Sequence, residues 1–432
     1  METKEKINSN KQFNKKLFLA YSAISLDLLF FYVISFLFLV NEKNLTPSEI
    51  VFADAFYPLF QFIFQIPSTI LIEKIGKKNS LILGNFFIAV YTFLIIGTVN
   101  VTTLILANIF CSFGFALKEI SEPNILYDSL DSSENKQEQF SKLNGKGYSN
   151  YFFIDSVSSL ITGFLFTINS YLPLIISLLI NILSIFLASL FKEIPSDTIQ
   201  KAENNSISSY IKNLYSAFKF IFKSKRLQML FLFHGVFAGF LYIMEDLRRS
   251  LLTEVGMPSE QFGLIFAILG IVGSISSNYS YKYHEHYRNR VLTFFSISFS
   301  LSVLFAGLSL ILHLPKFLMY FTILTSFTIQ YIIRTPYPTL IKQYLSSFSD
   351  SSMRLKITSA SLFIEGTASA LLSFLSSIIL EYSSSYILVF FLGCIFTIIL
   401  IFILELMKTK VGLKPEEYSP KDINFYETTT IK

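Results

Sequence analysis

The fold class predicted by this sequence is all-α and integral to a membrane, with about twelve transmembrane helices, and three observations carry it. Of the 432 residues 52% are hydrophobic and only 15% charged, where soluble domains carry about 25% charged residues. Apolar runs of about 20 residues, the length a helix needs to cross roughly 30 Å of hydrocarbon, recur along the whole chain. Basic residues collect in alternate connections, as they do in multi-pass proteins. Strands are excluded as the spanning form, because they would appear as short alternating segments.

The N-terminal stretch METKEKINSNKQFNKK is basic and leads into the first span, Leu17 to Val40, with no small-residue cleavage site, so it reads as a cytoplasmic tail. Polar NEKNLTPSE separates it from the second span, Ile50 to Ile72, which ends in the turn EKIGKKNS. The third span, Ser80 to Val99, is joined by almost nothing to the fourth, Thr102 to Tyr127. A charged loop, DSLDSSENKQEQFSKLNGK, precedes the fifth, Tyr148 to Ile168, and the sixth, Tyr171 to Phe191.

Between 192 and 226 the composition turns polar. There Ile211, Leu214, Tyr215, Phe218 and Phe222 share one helical face and Lys212, Lys219 and Lys223 another, the pattern of a helix lying in the membrane interface. Six more spans follow near Leu227 to Leu252, Gln261 to Tyr281, Val291 to Leu312, Phe317 to Ile341, Ile357 to Leu380 and Tyr386 to Met407. The expected organisation is a six-helix bundle over 1–191, a linker over 192–226, a second, pseudo-symmetric six-helix bundle over 227–408 and a tail over 409–432.

With the N-terminus inside, the inner connections hold most of the lysines and arginines, while the outer ones hold Lys43, Lys316 and, at a span end, Arg248 and Arg249. Both termini are therefore expected in the cytoplasm of a plasma-membrane protein. Cys111 and Cys394 lie in apolar runs and read as packed free thiols. His284 and His286 lack metal-site spacing, so neither metal nor cofactor is expected, and the partners are the lipid bilayer and a small molecule, with no nucleic acid and a monomeric state.

Ionisable groups inside spans cost several kcal/mol and mark transport paths. Tyr148, Tyr151, Asp155, Ser159 and Thr162 share one face of span five, and Thr358, Ser361, Glu365, Ser369 and Ser376 one face of span eleven; both stripes are expected to line an aqueous cavity. Span seven aligns His234, Glu245, Arg248 and Arg249, with Glu245 in pairing reach of either arginine, an outer gate or a plain interfacial ion pair. In span ten Ser326, Gln330, Arg334 and Tyr337 align, and Pro336 and Pro338 should bend the helix. Arg334 is the expected contact for an anion, since a guanidinium cannot shed its charge. In span four Lys118 and Glu122 are spaced for a local ion pair, which leaves Glu119 as surplus acid, and Asp27 stands at mid-depth in span one, off the Tyr21, Ser25, Tyr32 face.

The turn after span two carries a recognisable pattern: Ile66, Pro67 and Ser68, then Thr69, Glu73, Lys74, Gly76, Lys77 and Lys78. It resembles the signature of the major facilitator superfamily, a Gly followed by an acid, a base, a Gly and two bases, with Thr69 in place of the first Gly and Glu73 in place of its usual Asp. Asp128 in ILYDSL stands where family members carry an acid that pairs with these bases, and Lys356, Ile357, Thr358 are similar to the family's Arg, small residue, Thr. Ser280, Arg288 and Arg290 resemble a degraded second copy of the turn. The resemblance covers the whole chain. Phe110, however, stands where many proton-coupled members carry an Arg, and span five lacks the Gly-Pro-rich motif of drug/proton antiporters.

The resemblance implies a secondary transporter, not an enzyme, rocking two halves about a midplane site, with Thr69, Glu73, Lys74, Gly76, Lys77, Lys78, Asp128 and Lys356 as a conformational latch. The expected substrate or proton path comprises Asp27, Glu119, Asp155, His234, Gln330, Arg334 and Glu365, and the expected outer gate Glu245, Arg248 and Arg249. Proton coupling is expected because loss of water disfavours charged carboxylates. Export of a small amphipathic solute leads over two rivals, proton-coupled uptake of an anion through Arg334 and a non-transporting membrane sensor or assembly partner.

Overall fold

The structure, a computed structural model, describes residues 2–130, 136–194, 207–223, 225–279, 282–283, 287, 290–347 and 351–410. Among them there is no strand, and eleven helices are long and apolar enough to cross a membrane. Ser280, Arg288, His284, His286 and the tail beyond 410 lie outside the described residues, so the second copy of the turn is left there.

The expected first span is not one helix. It forms α1 (Glu2–Ser25) and α2 (Ser35–Asn41), joined by irregular backbone through 26–34, where Phe30 has φ 60°. Asp27 accounts for the break. Its Oδ1 accepts from its neighbour's amide, Leu28 N–H, at 2.8 Å and from the Tyr32 hydroxyl at 2.9 Å, so a side chain satisfies a backbone donor that the helix would otherwise use. The second span is α3 (Pro47–Asp54) followed by α4 (Phe56–Ile75). Then come α5 (Lys77–Ile96), α6 (Val101–Asp128), α7 (Lys136–Ile168) and α8 (Leu172–Leu190). Much of the expected loop before span five is thus helical, from Lys136 onward.

The linker holds α9 (Ile207–Lys223). The second half follows as α10 (Lys225–Glu254), α11 (Ser259–Asn278), α12 (Arg290–Ile311), α13 (Lys316–Arg334), α14 (Tyr337–Ser347), α15 (Ser351–Tyr382) and α16 (Ser385–Lys410). The expected bend in span ten is a full interruption between α13 and α14, where Pro336 has no amide hydrogen to continue the ladder.

The chain forms two compact units whose membership does not follow chain order. The first comprises residues 1–46, 59–207 and 257–267, the second 47–58, 208–256 and 268–432. In the first unit Phe18, Tyr21, Leu81, Leu126 and Phe191 form a buried core, and Asn14, 1% exposed, clamps it. Asn14 Nδ2 donates to the Lys192 carbonyl at 2.8 Å and to Ser129 Oγ at 3.1 Å, while its Oδ1 accepts from Lys192 N–H at 3.0 Å. In the second unit the phenylalanines interlock: Phe240 stacks on Phe396 at 4.0 Å and meets Phe299 edge-on at 5.1 Å, while Phe237 meets Tyr337 at 4.9 Å. Such pairs stabilise beyond their buried area by about 0.5–1.5 kcal/mol each. In this unit α3 packs on α15, where Ser48 donates to the Ser377 carbonyl at 2.8 Å and Phe52 and Phe56 embrace Phe374.

In the first unit the start of α11 crosses α7 at Gly163 and Gly263. A methyl group added at Gly263 would lie 2.5 Å from the Ser159 carbonyl oxygen, so only glycine permits this approach. Gly263→Leu is accordingly expected to destabilise the protein by about 1–3 kcal/mol, read as a lowered melting temperature in detergent. Gly145→Ala, with nothing within 4 Å of the added methyl, should leave the melting temperature unchanged or slightly raised.

Candidate functional site

A cavity of about 520 Å³ lies within the second unit, walled by α10, α14, α15 and the end of α13. Its apolar lining comes from Ala238, Leu241, Ile341, Leu345, Ile357 and Leu362, and its polar groups from His234, Glu245, Arg334, Lys342, Thr358, Ser361 and Glu365. The 3.6-residue period of α15 brings Thr358, Ser361 and Glu365 to one wall, as expected from the sequence. Ser369 and Ser376, the other members of that stripe, are 1% and 2% exposed and do not line the cavity.

His234 is 2% exposed and held on both nitrogens, with Nδ1 3.0 Å from the Tyr337 hydroxyl and Nε2 2.9 Å from Ser361 Oγ. Glu365 Oε2 stands 3.7 Å from Nε2, and its side chain keeps 48% of its surface exposed. The lone histidine is thus packed, as its isolation in the sequence suggests, but by partners 103 and 127 residues away.

At the other end of the cavity the charges of two helices, α10 and α13, converge. Arg248, fully buried, brings Nη2 to 2.6 Å from Glu245 Oε1 and donates from Nη1 to Gln330 Oε1 at 2.8 Å. The 2.6 Å approach is poorly aligned for a hydrogen bond, and Arg248 Nε has no acceptor. Arg334 places its Nε on the same Glu245 oxygen and lies 5.7 Å from the Tyr331 ring, while 39% of its side chain stays exposed. Gln330, 0% exposed, is not on the cavity wall; it stands behind, bonded to Arg248 and to Ser326 Oγ at 3.1 Å. Arg249 pairs at 3.3 Å with Asp246, an acid the sequence reading passed over although its three-residue spacing was visible. Lys342 was likewise missed as a cavity residue, because the α13–α14 break resets the helical register, whereas Tyr337, aligned with Arg334 in the sequence, does line the cavity.

The other expected path residues are in the first unit. Glu119 accepts from Gln61 Nε2 at 3.0 Å. The Lys118–Glu122 ion pair is not formed among the described residues. Instead the Lys118 ammonium, 2% exposed, lies 5.5 Å from the Phe115 ring and 6.0 Å from Tyr21. Asp27 bonds Tyr32, which a continuous helix would have placed on another face. In the span-five stripe Ser159 and Thr162 are 5% and 0% exposed, packed where α7 meets α11, so only Tyr148, 44% exposed, and the half-buried Asp155 remain open. A small-residue stripe served helix packing over half its length.

At the turn after α4, Gly76 has φ 85°, a backbone state that L side chains resist, and so lets α5 start at once. Lys77 Nζ lies 2.5 Å from Asp128 Oδ2, the acid–base pair that the resemblance implies. Thr69 Oγ1 donates to the Gln65 carbonyl at 2.9 Å, and Glu73, Lys74 and Lys78 occupy the same turn. Lys356 belongs to the second unit.

These observations agree with comparisons to known proteins. The family model for the Major Facilitator Superfamily matches residues 17–349. YxaM, an MFS-type transporter of Bacillus subtilis (strain 168), is 24% identical over 262 residues, a match spanning 60% of this chain and 64% of that relative's length. Among solved structures, the nucleoside transporter NupG aligns with a TM-score of 0.70 at 11% identity, covering 93% of this chain and 99% of that one. A D-xylose-proton symporter aligns with a TM-score of 0.64 at 12% identity, covering 92% and 96%. At such identities these likenesses establish the fold alone. With its fold, its turn after α4 and its family match over residues 17–349 in agreement, the chain belongs to the Major Facilitator Superfamily and is a multi-pass membrane protein of that family.

Proposed function

We propose that this protein is a secondary active transporter that moves a small amphipathic organic solute bearing an acidic group, by alternating access and in exchange for protons. The observation that carries the reading is Arg334, a guanidinium that lines a largely apolar cavity with 39% of its side chain exposed. A guanidinium stays charged at any accessible pH and matches a carboxylate or phosphate in two parallel hydrogen bonds. The cavity volume of about 520 Å³ suits a small molecule, and its leucine and isoleucine walls would take the apolar body.

Glu365 and Asp155 are our candidates for the proton carriers, with Glu119, Asp27 and His234 along the path. Glu365 is supported by its position on the cavity wall beside His234. Outward movement is our reading of direction, by analogy with the exporter-rich bacterial branches that the chain resembles. Whole-cell accumulation that rises with an inward proton gradient would replace export by uptake. Both termini on the cytoplasmic side of the plasma membrane follow from the distribution of lysine and arginine.

A ligand-stabilisation screen on purified protein, followed by counterflow with the hits, tests the solute class. Arg334→Gln should weaken binding of acidic hits by roughly 10- to 100-fold, the range for hydrogen bonds to a charged group, while Glu245 keeps Arg248 as partner. Equal affinity in the variant would remove Arg334 from the site. For coupling, Glu365→Gln and Asp155→Asn should each lower gradient-driven flux about tenfold or more while counterflow persists. Coupled flux that survives both substitutions would overturn the proton assignment.

Our reading of the turn after α4 as a conformational latch makes a separate prediction. Loss of the part-buried Lys77–Asp128 ion pair, 32% and 11% exposed, should change an equilibrium by about 1 kcal/mol or somewhat more, at least roughly fivefold in population. Asp128→Asn and Glu73→Ala should shift the ratio of the two access states by that much, measured by labelling of thiols introduced at either membrane face. Solute affinity within each state should stay constant.

A further inference from the structure

Helix α9 lies outside every span, and the span carried by α10 begins at Leu227, four residues after α9 ends. A helix so tethered is held at the bilayer surface. Its rotation is fixed by protein on one flank. Ala217 is 0% and Ile221 3% exposed, and Phe218 meets Phe363 of α15 edge to face at 5.6 Å. That contact turns a second flank outward, where Ile211 (58%), Tyr215 (69%) and Phe222 (70%) are exposed. Lys212 and Lys219 are exposed on the neighbouring stripe, about 70° further round at 3.6 residues per turn. No acidic residue occurs anywhere in α9, so neither lysine has a carboxylate one turn away.

A surface that covers this helix has to be apolar along one stripe and anionic along the next, at the depth where α10 begins. The boundary between acyl chains and anionic headgroups has that layering, and charge complementarity selects anionic over neutral lipid. We propose that α9 is a docking element for anionic phospholipid, with Ile211, Tyr215 and Phe222 among the acyl chains and Lys212 and Lys219 on the headgroup phosphates. The proposal is independent of the solute and of its direction of transport.

Hydrogen exchange of the 207–223 amides in the full-length protein tests it, in nanodiscs of neutral phosphatidylcholine and in discs with roughly a third phosphatidylglycerol. Exchange should slow in the anionic discs by about fivefold for each engaged lysine. Lys212→Gln with Lys219→Gln should remove that increment and leave the rate in neutral discs unchanged, and the corresponding Lys→Arg pair should retain it. Inorganic phosphate added to neutral discs should not reproduce the effect. Equal exchange in the two lipids, an increment that survives the Gln pair, or the same slowing with free phosphate would each overturn the proposal.

Discussion

One carboxylate, Glu245, carries the polar architecture of the second unit. It serves Arg248 from its own helix, α10, and Arg334 from the end of α13. A fully buried guanidinium without an anion costs several kcal/mol, so Arg248 cannot be placed first and paired later. The remaining needs of Arg248 pass down a chain of neutral groups. Gln330 accepts its Nη1 proton, Ser326 accepts from Gln330 Nε2, and the Ser302 carbonyl of α12 accepts from Ser326 at 2.5 Å. Each member orients the one before it, which stiffens the cavity wall at the place where Arg334 emerges.

The same dependence explains what the sequence could and could not reveal. Short-range chemistry was legible. The acid and bases around Gly76 announced a tight turn, and its partner Asp128 was named through the family resemblance. The proline pair after Arg334 announced a bend, which the structure carries through to an interruption. Long-range chemistry was not, because nothing in helical spacing brings Tyr337 to His234 or Gln330 to Arg248. The broken first span was hidden for a different reason. Hydropathy reports the composition of 17–40 and is blind to whether backbone donors are satisfied in the helix or by Asp27.

The two polar stripes show how one pattern answers two demands. On α15 the members near the cavity, Thr358, Ser361 and Glu365, line it, whereas Ser369 and Ser376 are sealed in protein. On α7 the sealed part is where Gly163 and Gly263 let two backbones meet. Serine and threonine are small enough to pack helices and polar enough to line water, so a stripe of them has no single meaning. A charged member within the stripe marks the open part in both helices, because Glu365 and Asp155 cannot be sealed against lipid or apolar protein without a partner.

The placement of charge around the cavity bears on the sign of the solute that we propose. Glu245 and Asp246, together with Asp54, which acts electrostatically on Asp246 and Arg249, face three guanidinium groups, those of Arg248, Arg249 and Arg334, and the cavity's remaining ions, Glu365 and Lys342, are one of each sign. The signs balance, so what sets Arg334 apart is that 39% of its side chain opens to the cavity. Fixed by Glu245 at Nε, the Arg334 guanidinium can accept a second anion without surrendering the first, since it carries five N–H donors in all. In the function we propose, a solute anion takes up those donors, whereas a cationic solute would meet the exposed face of a guanidinium. On that reading charge disfavours cations at Arg334, and shape discriminates among acids.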